Sequence, residues 1–285
     1  MESHASSETG EAERPSAEPA VAGSGSPPAT LPALDATRTL YLDLVERVVT
    51  NTIYGDPCGA PWGRRRFEAG NREQGLDWPS VAHSMIGERR IRSLRDLCER
   101  AIREHVPGDF IETGVWRGGA CILMRAVLAA YGETGRQVWC ADSFAGLPPP
   151  EAERFPADAG DTLYTYPELA VPLERVRANF AAYGLLDDQV RFVEGYFETT
   201  LPGLAGERFA LLRLDGDMYA STICALENLY DGVSDGGFVV VDDYGAIEAC
   251  REAVEDFRRA RGIDEPLNPI DWTGVWWRKR AARPS

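Results

Sequence analysis

Several absences bound what this chain can be before any motif is read. Its six cysteines, Cys58, Cys98, Cys121, Cys140, Cys224 and Cys250, include no Cys-x-x-Cys pair. Several lie in apolar runs, where a reduced thiol serves as a small core residue, so a reducing cytoplasm is the expected compartment. No apolar stretch approaches the length needed to cross a bilayer, and Met1-Glu2-Ser3-His4 lacks the positive and apolar regions of an export signal. A soluble protein retained in the cell is expected. Positive charge is in the minority, with 30 Lys and Arg against 45 Asp and Glu and a net charge of −15. That balance works against nucleic acid and anionic membranes as partners and leaves small molecules. There is no internal repeat and no Gly-x-x-x-x-Gly-Lys loop, so a phosphoryl-transfer enzyme would lack its phosphate cradle.

What is present is a chain of 285 residues with 44% hydrophobic content, enough for a substantial core. Residues 1–37 are rich in Pro, Ala, Ser, Gly and Glu, with almost no large apolar side chain before Leu31, and read as a disordered tail. Residues 38–108 read as an N-terminal helical and lid segment, opening with helical apolar spacing from Leu40 to Val49 and turning at Gly55-Asp56-Pro57. From residue 109 to 285 the pattern alternates. Strands are expected at Phe110-Ile111, Gln137 to Ala141, Val190 to Val193, Phe209 to Leu214 and Phe238 to Val241. Helices are expected at Ala120 to Tyr131, Leu169 to Tyr183, Met218 to Tyr230 and Ile247 to Arg259. This is the pattern of an α/β protein with a doubly wound, mostly parallel sheet. Pro269 to Trp277 reads as one more strand at an antiparallel edge.

Ligands of such sheets sit beyond the carboxyl ends of the strands. The first strand runs into Glu112-Thr113-Gly114-Val115-Trp116-Arg117-Gly118-Gly119, where glycines allow close backbone approach and a helix begins. Trp116 occupies the place of the second glycine of Gly-x-Gly-x-x-Gly, which disfavours a dinucleotide and a nicotinamide oxidoreductase. An adenosine without phosphates fits better. The second strand ends in Asp142-Ser143, where an acid can accept hydrogen bonds from both ribose hydroxyls. The third ends in Glu194-Gly195-Tyr196-Phe197, where backbone and an aromatic edge can hold an adenine. Two further strands end in acids, Asp215 with Asp217 and Asp242 with Asp243, and the interval between them holds one helix and one strand. Oxygen-rich clusters of this kind suit magnesium. The plainer alternatives are that Asp217 caps the following helix and that Asp242-Asp243 closes a turn.

With these stretches in view the chain resembles the macrocin O-methyltransferase (TylF-type) family, enzymes that methylate sugar hydroxyls of macrolides, aminocoumarins and related natural products. The likeness lies in Tyr41 to Tyr54, Asp77-Trp78-Pro79 through Met85-Ile86-Gly87, Asp109 through Gly119 and Ala141-Asp142-Ser143-Phe144. It continues in Leu173 to Tyr183, Leu214-Asp215-Gly216-Asp217-Met218-Tyr219, Gly236 to Gly245 and Asp271-Trp272-Thr273-Gly274-Val275, and so covers nearly everything after the tail. The resemblance implies a class I methyltransferase (Rossmann-like) fold, S-adenosylmethionine as cofactor and Mg2+ in the active site. It implies that Glu112, Thr113, Gly114, Val115 and Trp116 line the methionine end, that Asp142 and Ser143 meet the ribose, and that Gly195 and Tyr196 border the adenine. Ser84 and Met85 would close over the cofactor, with Arg177 a further candidate. Asp215, Asp242 and Asp243 would hold the metal, and Asp217 would be the catalytic base. Thr199, before Thr200-Leu201-Pro202, departs from the pattern, which leads to an acid there.

The implied chemistry suits these residue types. A sugar hydroxyl is a poor nucleophile at neutral pH, and metal coordination with a nearby carboxylate lowers the barrier to losing its proton. The cofactor's methyl is already activated, so alignment is what the protein adds. His83, in the proposed lid, is the alternative base. Tyr54, Asp56 and the stretch from Pro148 to Tyr166 are expected to meet the acceptor. A magnesium-dependent catechol or phenol methyltransferase would use the same rim, and a non-catalytic nucleoside-binding module would need only the first half of the site. The acceptor is expected to be a glycosylated small molecule. A homo-oligomer could form through the first helix and Trp272, Trp276 and Trp277, although burial of those tryptophans within one chain is the simpler reading.

Overall fold

The structure is a computed structural model in which residues 31–63 and 65–280 are described. Its centre is a strand that is apolar almost throughout. β4 (Phe209–Leu214) is buried at every position and lies between β1 (Asp109–Thr113) and β5 (Val233–Val241), both parallel to it. β2 (Val138–Asp142) and β3 (Val190–Glu194) extend the sheet beyond β1. A C-terminal hairpin of β6 (Asn268–Pro269) and β7 (Val275–Arg278) closes the other edge, with β7 antiparallel to β5. The order is β3-β2-β1-β4-β5-β7-β6, the doubly wound, mostly parallel sheet with an antiparallel edge that the sequence implied. The final strand is half of a hairpin rather than a lone addition.

The chain winds outward from β1 to β3 and then returns to β4, so the order reverses between β1 and β4. Such a reversal opens a crevice at the carboxyl ends of the strands. The two backbones converge closely there. Gly114 has φ of +91°, and a Cβ on it would stand 1.8 Å from the Asp215 carbonyl oxygen, so no other residue fits.

Helices cover both faces. α1 (Leu31–Val49), α3 (Gly87–Arg103), α4 (Gly119–Tyr131) and α5 (Leu173–Ala182) pack on one side, and α7 (Tyr219–Leu229) and α8 (Glu248–Arg261) on the other. Short helices α2 (Ala69–Gln74) and α6 (Phe197–Thr200) lie in connections. α4 is apolar on nearly every face because it is wedged between the sheet and both α1 and α3. Left-handed glycines bound it, Gly118 before and Gly132 after.

Two expectations change. α1 begins at Leu31, so residues 31–37, read as tail, are helical, and residues 1–30 lie outside the described residues. Arg38 explains part of this extension: it pairs with Asp35 at 2.5 Å, donates to the Ala130 carbonyl at 3.1 Å and stacks on Tyr131. Within residues 38–108, α3 is a full core helix. Its stripe of Ile91, Leu94, Cys98, Ala101 and Ile102 joins the same hydrophobic core as β1 and α4. Trp277 is fully buried in one core, whereas Trp276 packs against the other and stays partly exposed.

Candidate active site

At the reversal between β1 and β4 one cavity opens, and much of the expected constellation meets in it. Gly114, Trp116, Asp142, Ser143 and Tyr196 line one part together with Met85. Asp215, Asp217, Asp242 and Asp243 line another. Glu198 also lines it, one residue before the position where the resemblance led to an acid.

Asp142 organises the first part. One carboxylate oxygen accepts the N–H groups of Val115 at 2.6 Å and Trp116 at 3.3 Å, and the other accepts that of Phe144 at 2.7 Å. Burial raises its carboxyl above the ordinary range, and these backbone donors oppose the rise. Trp116 and Phe144 both sit at positive φ, +48° and +52°, a strained backbone of the kind that functional sites retain. The Trp116 indole donates to the Glu168 carbonyl at 2.8 Å, tying the β1 turn to the loop that follows β2. An acid at the end of β2, with apolar Met85 and Trp116 beside it, supplies an acceptor and an apolar surface that fit a nucleoside with an apolar tail.

The acid part is built around an arginine inside a strand. Arg213 of β4, 1% exposed, reaches Glu112 of β1, Asp242 at the end of β5 and, at 2.7 Å, Asp215. Arg90 of α3 holds the other oxygen of Asp242 and bonds Asp271 at 3.1 Å. Ligand atoms of Asp215, Asp242 and Asp243 lie within 4.8 Å of one another. Asp243 differs from its neighbours, because its Oδ2 is buried with no hydrogen-bond partner. Burial raises the carboxyls of Asp215, Asp217 and Asp243, and repulsion from the other acids of the rim adds to it. Three carboxylates converge here, and the unsatisfied oxygen of Asp243 fits a hard divalent cation, while both oxygens of Asp242 already face arginines, so Asp242 would share its charge between the cation and those partners.

Asp217 has φ of +59° and no structural duty at the helix that follows it. The first N–H groups of α7, from Tyr219 and Ala220, are taken by Asp158 at 2.6 and 3.0 Å. The capping alternative for Asp217 is thereby displaced. The turn after Asp243 is closed by its backbone carbonyl, which accepts from Ala246 and Ile247, so its side chain is not needed there either.

Other expected residues stand elsewhere. Glu112 is spent on Arg213 and on the Cys121 thiol, which donates to it at 2.8 Å; burial pushes its carboxyl up to about 7. Thr113 is buried and bonds the Arg213 carbonyl, and Val115 contributes its N–H to Asp142 rather than a side chain to the cavity. Ser84 is buried, with its Oγ accepting from Ile86. Gly195 donates its N–H to the Asp142 carbonyl, and Arg177 stacks on Phe192. None of these six lines the cavity. Contiguous residues of a strand and turn point to different sides, so a run of neighbours does not line one wall.

His83 also stands apart. Its Nδ1 lies 2.8 Å from the Tyr183 hydroxyl, its carbonyl accepts from Gly119, and burial, then Arg117 and Arg175, lowers its proton affinity. It joins the lid to α4 and α5. Asp56 is buried as well, gripped by Arg72, Asn51 and the N–H groups of Val81 and Ala82, while Tyr54 is 89% exposed. Neither lines the cavity. The loop after β2 does reach it, through Pro148, Leu163 and Leu169. Tyr166 of that loop packs edge-on against Trp62 and Trp78 of the lid, and Trp78 is part of the cavity wall. Sequence reasoning missed Arg90, Arg213 and Asp158; a lone arginine inside an apolar strand was the available signal for Arg213.

Known proteins resemble the chain along most of its length. The family model described as Macrocin-O-methyltransferase (TylF) matches residues 38–279. A Streptomyces olivaceus protein, 8-demethyl-8-(2,3-dimethoxy-alpha-L-rhamnosyl)-tetracenomycin-C 4'-O-methyltransferase, is 53% identical over 86% of this chain and 94% of its own. Mycinamicin III 3''-O-methyltransferase of Micromonospora griseorubida is 47% identical over 85% of this chain and 97% of its own. Among solved structures, the O-methyltransferase NovP superposes with a TM-score of 0.82 at 45% identity, covering 86% of this chain and all of that one.

Proposed function

Because the chain belongs to the macrocin O-methyltransferase family, and is an O-methyltransferase of class I fold, we propose that it transfers the methyl group of S-adenosylmethionine to a deoxysugar hydroxyl of a glycosylated natural product, with magnesium at the acid rim. The observation that carries this reading is the union, in one cavity, of the Asp142 side with the Asp215, Asp242 and Asp243 cluster.

Bound there, the cofactor supplies an activated methyl and the cation supplies Lewis-acid polarisation of the acceptor. The chain's residues do the rest. Asp142 holds the nucleoside through oxygens already aimed by backbone N–H groups, and Met85 and Trp116 keep water from the reacting centre. Asp215, Asp242 and Asp243 hold the cation. Asp217 takes the proton of the sugar hydroxyl on its carboxylate. Its side chain lines the same cavity as those three acids and is free of the helix start, which Asp158 caps, so it is placed to act as the general base. The relatives named for sugar-bearing acceptors support a glycoside as substrate.

In this reading the enzyme works in the cytoplasm, consistent with six free cysteines, and without nucleic acid or membrane partners. No helix among the described residues is long and apolar enough to cross a membrane. A homo-oligomer belongs to the reading through α1, where Leu40 and Leu44 are exposed. The experiment is mass spectrometry of a panel of desmethyl glycosides, with catechols alongside, incubated with S-adenosylmethionine and magnesium. Singly methylated glycosides are expected. Methylated catechols alone would overturn the substrate class.

A further inference from the structure

Beside the acid rim a large aromatic ring is held half-exposed on a turn braced by several hydrogen bonds. Trp272 is 48% exposed and lines the cavity together with Asp243, Ala246, Ile247 and Thr273. The turn around it is bonded on every side. One oxygen of Asp271 accepts the N–H groups of Thr273 at 3.0 Å and Gly274 at 2.8 Å, while its other oxygen takes Arg90. The Thr273 hydroxyl donates to the Asp242 carbonyl at 2.9 Å and accepts from Ala246 at 3.0 Å. The Trp272 indole N–H donates to the Gln74 carbonyl at 2.8 Å, at the end of α2, which fixes the ring itself.

A tryptophan buries more apolar area than most side chains, and leaving one half-exposed forgoes part of that stabilisation. A locked turn that displays such a ring at a cavity wall is arranged for a ligand surface. The surface that suits it is the C–H face of a deoxysugar. Hydroxyls project from the edge of a sugar ring, so a ring stacked on the indole directs them sideways, toward the acids that share the wall. The acids alone would accept any pair of hydroxyls.

Resting on the sugar-methylating reading above, we propose that Trp272 is the stacking face that binds the acceptor sugar beside the acid rim. The test compares wild type, Trp272→Ala and Trp272→Phe on the tetracenomycin rhamnoside and mycinamicin III, the acceptors named for two relatives. For whichever glycoside the wild type methylates, Trp272→Ala raises KM by about tenfold or more with kcat within about threefold, the mark of lost binding. Trp272→Phe, which keeps a ring but cannot bond Gln74, returns KM to within about threefold of wild type. Calorimetry gives all three the same affinity for S-adenosylhomocysteine. An unchanged KM in Trp272→Ala overturns the proposal, as does Trp272→Phe as impaired as alanine, since the bond to Gln74 would then be what matters. Loss of S-adenosylhomocysteine affinity overturns it too, by placing the ring on the cofactor. Wild type that methylates neither glycoside, while methylating a catechol, overturns the sugar reading itself.

Discussion

Asp158 accepts the backbone N–H of Tyr219 at 2.6 Å, across the gap between the loop that follows β2 and the start of α7. The bond does two things at once: it holds that loop against the cavity, and it releases Asp217, two residues before Tyr219, from capping the helix. Asp158→Ala therefore loses a helix cap, at a cost of about 1 kcal/mol, equivalent to roughly 2–4 °C for a chain of this size. Calorimetry is expected to show that fall, and limited proteolysis to show faster cleavage between Pro148 and Leu169. A loop no more easily cut than in wild type would contradict the latch.

Asp243 is the acid of the rim with a buried oxygen left unsatisfied. Asp243→Asn removes a buried charge that burial, Asp217 and Asp215 all disfavour. The variant should melt at or above the wild-type temperature while turnover falls by about 100-fold or more, because the proposed cation site loses one of its carboxylates. A clear loss of stability in metal-free buffer would mean that the side chain has a structural role instead.

Arg213 is expected to behave in the opposite way. It compensates Glu112, Asp215 and Asp242 while fully buried, and removing one member of such a network costs about 3–5 kcal/mol. Urea unfolding of Arg213→Met should show a loss of that order, and the double variant with Glu112→Gln should recover part of it, because one stranded charge is then removed. Strict additivity of the two substitutions would show that they are not coupled.

Asp56 gives the lid a pH dependence. Burial alone would raise its carboxyl, but the bonds from Arg72, Val81 and Asn51 outweigh it and bring the pKa down to about 2. A carboxyl depressed in the folded state contributes stability above its unfolded value, about 3.9, and loses it as pH falls toward about 2. Stability of the wild type should drop through that interval, and Asp56→Asn should flatten the slope. An unchanged slope would assign the acid sensitivity to other groups.

The sheet was legible because burial on both faces leaves strands almost purely apolar, and Phe209 to Leu214 was read to its last residue. The acids at the strand ends were legible for the same reason, since each stands where such a run stops. α3 fell within residues 38–108, read only broadly as helical and lid, and its bounds were not legible because its arginines and glutamates dominate the composition around Ile91, Leu94, Cys98 and Ala101. The roles of Arg90, Asp158 and Asp56 depend on partners 152, 61 and 16 residues away, and local pattern carries no record of such pairings. Glu112 was legible as a polar residue in a strand, but only the fold shows that Arg213 claims it before any ligand does.

The central claim is that the acids after β4 and β5 hold a cation on which methyl transfer to a sugar hydroxyl depends. The most direct measurement is a magnesium titration of methyl transfer, from chelator-treated protein, for wild type and Asp215→Ala on one glycoside acceptor. The account predicts saturable activation of the wild type from a negligible rate, and an Asp215→Ala enzyme that binds S-adenosylhomocysteine but stays inactive at every magnesium concentration. Full turnover by chelator-treated wild type, or wild-type turnover by Asp215→Ala, would contradict it.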